Sequence, residues 1–103
     1  LPCYNTVVVD KKLSPRTKLY ALLAMQNLNF DSYLQVLRTT FEAYEKGIVP
    51  YQILHLAIVN GFGWSSVLVN HRQDPRLQTV LSEIKTYPAT PKKVIKSIDV
   101  RFK

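Results

Sequence analysis

The sequence predicts a mainly α-helical fold, a small single-domain bundle of four to five helices arranged as two stacked helical hairpins. Leu, Ile, Val and Phe supply 34 of the 103 residues, far above the level of disordered chains, so the chain can form a core. The three glycines all lie between residues 47 and 63, too few for a turn-rich β-sandwich. Three prolines each follow a side chain that often caps a helix N-terminus, in Ser14-Pro15, Asp74-Pro75 and Thr90-Pro91.

The first two helices are predicted over residues 15–27 and 30–46. The first follows the Ser14-Pro15 pair, and the second has Asn29 or Asp31 as alternative N-caps. Gly47 stands where a helix C-terminus often needs a left-handed residue. Apolar residues three and four apart mark the buried face of the second helix, namely Phe30, Tyr33, Leu34, Leu37, Phe41 and Tyr44.

Two further helices are predicted over residues 50–60 and 75–86. The 50–60 segment is apolar almost all round, so we expect it to be the most buried helix and to end at Asn60 or Gly61. The 75–86 segment follows the Asp74 cap and places its apolar residues on one face. Residues 64–70 fit a strand and a short helix equally well.

Both ends of the chain contain strand-like patterns. Ile98, Val100 and Phe102 alternate with charged residues, and Val7–Val9 is a β-branched run. The two ends could therefore pair as a short two-stranded ribbon packed on the helices. This organisation divides the chain into an extended N-terminal arm (1–13), a helical core (14–86) and a basic C-terminal segment (87–103).

A shift of 34 residues supports the two-hairpin arrangement. It places Leu19 on Ile53 and Leu22 on Leu56, as expected if two helical hairpins stack. The fixed Trp, Gly and Ala positions of tetratricopeptide repeats are not met. Two amphipathic hairpins can also look alike by chance, so the period alone assigns no family.

The net charge of +7 is unevenly distributed along the chain. Residues 62–103 carry eight cations against three anions, whereas residues 31–61 carry two against three. A basic balance is compatible with an acidic protein, nucleic acid or an anionic surface as the partner, and with a merely solvated face. The longest apolar run is too short to cross a membrane. The single cysteine, Cys3, excludes an internal disulfide and a cysteine-based zinc site.

Catalytic and metal-binding patterns are weak. His55 lies within an apolar helix and is expected to be a core histidine with one satisfied nitrogen, and His71 is expected at the surface. Ser82 and Lys85 have the Ser-x-x-Lys spacing of some acylating hydrolases, without the other elements of that site. We therefore expect no catalytic residues, metal site or cofactor, and no enzymatic activity.

The aromatic residues favour protein binding. Eleven aromatics include six tyrosines, and tyrosine, tryptophan and arginine are enriched at the centres of protein interfaces. The sequence therefore predicts a helical protein-interaction module, such as an adaptor, inhibitor or immunity-type partner. Its predicted anchors are Tyr44, Tyr51 and Trp64, with Arg72 and Arg76 steering an acidic partner from the rim.

The alternative prediction is a basic nucleic-acid-binding domain that uses the C-terminal third. Lysines three and four apart on a short helix can contact phosphates without reading sequence. Such binding would be non-specific and would weaken steeply with salt. The residues assigned to it are Lys92, Lys93, Lys96, Arg101 and Lys103.

Overall fold

Helices account for all the regular structure in the described part of the chain. The computed structural model describes residues 2–24, 29–64, 71 and 73–101, with side chains for all of these except residues 2, 3, 60–64 and 101. These residues form six helices and no strand, which confirms the mainly α-helical prediction. The helices are α1 (Pro2–Val9), α2 (Pro15–Ala24), α3 (Phe30–Glu45), α4 (Tyr51–Trp64), α5 (Pro75–Thr86) and α6 (Lys92–Arg101).

Side-chain caps start three of these helices where the sequence predicts them. The Asn29 side chain accepts a hydrogen bond from the Ser32 backbone N–H at 2.8 Å, so Asn29 caps α3. Asp74 accepts from the Arg76 backbone N–H at 2.9 Å before α5, and Ser14 caps α2 in the same way. Each cap satisfies a backbone donor that the first turn of a helix leaves without a partner.

Gly47 ends α3. Its φ of +74° is the left-handed conformation that glycine adopts without steric cost. The Gly47 N–H donates to the Tyr44 carbonyl at 3.0 Å, and the Ile48 N–H donates to the Ala43 carbonyl at 2.9 Å. These two bonds satisfy carbonyls of the last turn of α3 and reverse the chain towards α4.

The predicted terminal ribbon is not confirmed, because both segments are helical. Tyr4 and Val8, four residues apart, are buried in α1, so the predicted extended arm contains a helix. Val94 and Ile98 are buried at the same spacing in α6, whereas Val100 is 68% exposed. In a strand Ile98 and Val100 would share a face, so burial at helical spacing overrides the strand propensity of these residues.

Two other expectations from the sequence are wrong. The number of described helices exceeds the predicted four to five, because α1 lies in the arm predicted to be extended and α6 continues to Arg101 through the residues whose alternation favours a strand. Helix α4 continues past Gly61 to Trp64 rather than ending at Asn60 or Gly61. A glycine in a helix interior costs only about 1 kcal/mol, which does not by itself end a helix.

The core is continuous across all six helices. Helix α3 packs against α1, α4 and α5, and α4 packs against α2, α3 and α6. Ile53 and Ile58 are buried in α4 as predicted, while Leu56 is half-buried. The Tyr33 hydroxyl donates to the Ile58 carbonyl at 3.5 Å and joins α3 to α4 inside this core.

Three polar side chains are buried among these apolar residues. Lys18 donates to the Ile48 carbonyl at 3.4 Å, and burial lowers the pKa of its ammonium group. Thr40 lies in the middle of α3. Thr90, predicted as an N-cap for the last helix, donates its hydroxyl to the Ile84 carbonyl at 2.7 Å. The Thr90 side chain therefore satisfies the C-terminal end of α5.

Candidate functional site

Tyr44, a predicted anchor, is held inside an aromatic cluster at the C-terminal end of α3. Its hydroxyl donates to the Ala89 carbonyl at 2.5 Å, and its ring meets the Tyr87 ring edge to face with centroids 5.9 Å apart. Tyr87 also contacts Phe41 in the same geometry at 5.8 Å. Burial raises the pKa of the Tyr44 hydroxyl. The Tyr44 hydroxyl is therefore hydrogen-bonded within the chain itself, and the ring is half-buried.

Tyr51, the second predicted anchor, lies at the start of α4 beside α6. The Lys93 ammonium nitrogen is 4.8 Å from the centroid of the Tyr51 ring, within cation–π range. The ring is half-buried and Lys93 is exposed. The sequence predicts Tyr51 as an anchor for a protein partner and Lys93 as a phosphate contact. The fold brings these two residues to one surface.

Arg76, the described member of the predicted rim, belongs to a separate polar cluster. Its guanidinium donates to Asp31 at 2.9 Å and to Asp74 at 3.3 Å, and lies 5.3 Å from the Phe30 ring centroid. Hydrogen bonds from Arg76 hold the pKa of Asp74 below its usual value. His71, which the sequence predicts at the surface, is half-buried, and its ring stacks on Phe30 with centroids 4.4 Å apart.

Two described members of the predicted set of anchors and rim residues, Tyr44 and Arg76, do not meet at one place. Asp31 and Tyr44 lie near opposite ends of α3, about 20 Å apart at about 1.5 Å of rise per residue. Arg76 contacts Asp31 at one end, whereas the Ala89 carbonyl contacts Tyr44 at the other. Four other predicted residues, namely Arg72, Lys103 and the side chains of Trp64 and Arg101, lie outside the described part of the chain.

An open pocket of about 300 Å³ lies between α4 and α6. Its walls are formed by His55 of α4 and by Lys93, Lys96, Ser97 and Val100 of α6. These four α6 residues follow the spacing of one helix face, which adjoins the face that carries the buried Val94 and Ile98. The sequence pattern alone did not indicate this pocket.

The two walls of the pocket are joined by a hydrogen bond. His55 Nε2 lies 2.8 Å from Ser97 Oγ. Because Tyr51 precedes His55 by four residues and Lys93 precedes Ser97 by four, α4 and α6 run parallel with their contacts in register. His55 Nε2 is hydrogen-bonded, but the residue is half-buried and borders a pocket rather than lying in the core as predicted.

The charge around this pocket is positive. Lys92, Lys93 and Lys96 are all exposed on α6. The ion pairs formed by described residues include Lys85 with Asp99 at 2.6 Å, and none of them involves the three α6 lysines. Among the described residues that line the pocket there is no carboxylate, so its lysines can meet an anion from outside the chain.

Neither metal binding nor membrane crossing is indicated by the described residues. They contain no group of three His, Cys, Asp or Glu side chains that could hold a metal ion. Among the described helices, none combines the length and apolar character of a bilayer-spanning segment. Comparison with known proteins identifies no matching family model, no similar curated protein and no similar solved structure.

Proposed function

We propose that this chain is a non-enzymatic protein-interaction module whose α4–α6 surface binds an acidic segment of a partner protein. The α4–α6 surface comprises Tyr51 and His55 of α4 with the exposed face of α6. One observation carries the proposal: a pocket whose described lining includes two lysines and no carboxylate lies one helical turn from the half-buried Tyr51 ring. Pockets that combine apolar walls with a few convergent polar groups are the usual form of a binding site.

The lysines support an acidic partner. Lys92, Lys93 and Lys96 lie within five residues on one short helix, and they are not neutralised by the ion pairs of the described residues. Positive patches of this kind accelerate encounter with an acidic surface and disfavour basic ones.

Tyr51 supports a specific protein contact. Tyrosine gives a large contact area at low entropic cost and is common among residues that dominate interface energies. Lys93 already lies over the Tyr51 ring, so the ring is positioned before a partner arrives. Tyr44 contacts the segment that leads into α6 through its hydrogen bond to the Ala89 carbonyl. Trp64 and Arg72 stay within the proposed set of contacts.

Ser97 and His55 have the distance of a nucleophile and its base, yet their setting favours binding. Ser97 lies within α6, where neighbouring backbone N–H groups are committed to the helix. Acyl transfer needs such donors aimed at the developing oxyanion. This argument supports a non-enzymatic role for the pair.

Nucleic acid is the second candidate, because the three exposed lysines of α6 could each contact a phosphate. The two candidates differ in how they respond to salt and to Tyr51. A protein making six to ten phosphate contacts loses about 10³-fold or more in affinity between about 50 and 200 mM salt. Binding anchored by an aromatic side chain retains more of its affinity under the same change.

Fluorescence anisotropy with defined probes tests the proposal. The probes are a peptide rich in Asp and Glu around one apolar residue, and single- and double-stranded oligonucleotides of equal charge. The peptide should bind more tightly, and Tyr51→Ala should weaken it about tenfold or more. The control Tyr20→Ala alters an exposed tyrosine of α2 and should change the affinity less than about twofold.

Circular dichroism establishes that both variants are folded before their affinities are compared. Tighter oligonucleotide binding with a steep salt dependence and no response to Tyr51→Ala would replace the proposal with the nucleic-acid alternative. Failure of every acidic peptide to bind would contradict it outright.

A further inference from the structure

The pocket between α4 and α6 brings together side chains of the kinds that hold a phosphate group. Lys93 and Lys96 are one helical turn apart on α6, and Ser97 follows directly. His55 faces them from α4 and is hydrogen-bonded to Ser97. We propose that this pocket binds the phosphate of a phosphorylated side chain on the partner protein, an inference that rests on the function proposed above.

Charge balance favours a phosphate over a carboxylate. A phosphate monoester carries about −1.5 to −2 at pH 7, which matches the two ammonium groups that border the pocket. A carboxylate carries a single negative charge and would leave one of the two ammonium groups without compensation. Arginine is better suited than lysine to the two-point geometry of a carboxylate, whereas lysine serves as a point charge for phosphate.

The His55–Ser97 hydrogen bond prepares a neutral donor for the same group. In the tautomer with a proton on Nε2, His55 donates to Ser97 Oγ. The Ser97 hydroxyl proton can then be donated to a phosphate oxygen, beside the ammonium groups of Lys93 and Lys96. Three donors therefore lie on one helix face, where His55 holds Ser97 and Lys93 lies over Tyr51, and they can converge on one phosphate group.

The apolar part of the pocket accommodates the residue that carries the phosphate. Val100 lies one turn beyond Ser97 and is 68% exposed, so it offers a bare apolar wall. The volume of about 300 Å³ is at the lower end of the range for ligand pockets and is larger than a phosphate group alone requires. A phosphorylated side chain fills both parts, whereas inorganic phosphate reaches only the charged part.

The test compares three labelled peptides of one acidic sequence that carry serine, glutamate or phosphoserine at the central position. The phosphoserine peptide should bind about tenfold more tightly than the glutamate peptide. Lys96→Gln and Ser97→Ala should remove most of this preference. The matched control is Lys92→Gln, which removes the same charge from α6 at a residue that does not border the pocket, and it should leave the preference intact.

Each outcome separates this inference from the proposed function. Equal binding of the glutamate and phosphoserine peptides, with both still weakened by Tyr51→Ala, would overturn the phosphate site. The same result would still support the proposed protein-binding function. Equal effects of Lys92→Gln and Lys96→Gln would also overturn it, because only overall charge would then matter. Inorganic phosphate should compete only at millimolar or higher concentration, and competition as strong as that of the phosphopeptide would show that the ion alone is the ligand.

Discussion

His55 Nε2 lies 2.8 Å from Ser97 Oγ, and this contact fixes the distance between α4 and α6. The same two helices are joined four residues earlier by Lys93 over Tyr51. Both contacts therefore stabilise the fold and shape the pocket. A substitution at one of them affects stability and binding together, so the two quantities need to be measured separately.

Ser97→Ala removes the hydrogen-bond partner of His55 Nε2 without adding bulk. The lost hydrogen bond should lower the free energy of unfolding by about 1 kcal/mol. Urea denaturation measures this change, with Ser82→Ala on the exposed face of α5 as a control expected within about 0.5 kcal/mol of the parent. Equal stabilities of the two variants would show that the His55–Ser97 bond does not form in solution.

Tyr4→Phe tests the attachment of α1 to the core. Thr40 donates its hydroxyl to the Val36 carbonyl at 2.7 Å, so the buried Tyr4 hydroxyl donates to Thr40 at 2.6 Å. Losing this bond should cost about 1 kcal/mol of unfolding free energy. Tyr20→Phe, at a tyrosine that is 61% exposed, should cost much less, and equal costs would contradict the buried position of α1.

Alkaline pH should destabilise the protein through its buried tyrosines. Burial raises the pKa of Tyr33 well above 10.0, and it raises that of Tyr4 although the Thr40 hydrogen bond opposes the shift. Because the folded-state pKa values are raised, the associated stability is present below about pH 10 and is lost as pH rises through the folded values.

Tyrosinate absorbance and urea denaturation measured between about pH 9 and pH 12 test this loss of stability at alkaline pH. Tyr33→Phe should flatten the fall in stability, since its phenol would no longer titrate on unfolding. Ionisation of all six tyrosines in one step while the helical signal remains intact would contradict the burial of Tyr4 and Tyr33.

Asn29→Ala tests the start of α3, the helix that contacts α1, α4 and α5. Loss of the 2.8 Å bond to the Ser32 N–H should reduce stability by about 1 kcal/mol, whereas Asn29→Ser should restore most of it. Gln35→Ala, at an exposed position within α3, serves as the control. If Asn29→Ala behaves like the control, the helix begins elsewhere.

Much of the fold can be predicted from local sequence signals. The caps at Ser14, Asn29 and Asp74 and the reversal at Gly47 involve residues close in sequence, so their chemistry is visible before folding. The two terminal helices, α1 and α6, could not be predicted from local signals in this way. Their β-branched residues favour strands locally, and the burial that makes them helical comes from partners far along the chain.

The candidate site was predictable only in pieces. The sequence assigns Tyr51 to protein binding but Lys93 and Lys96 to nucleic-acid binding. It does so because Tyr51 and the lysine that lies over its ring are 42 positions apart in the chain. The His55–Ser97 pair gave no sequence signal, because each residue is ordinary in its own helix. Only the parallel packing of α4 and α6 brings these residues to one pocket.

Amide chemical-shift mapping by NMR, with the acidic peptide added to the full chain, tests the central claim most directly. The proposed function predicts that the largest shifts occur in α4 around Tyr51 and His55 and in α6 from Lys93 to Val100. Residues of α2 such as Tyr20 should remain unchanged. Shifts concentrated on α1 and α2, or spread evenly over every exposed lysine, would contradict the α4–α6 surface as the binding site.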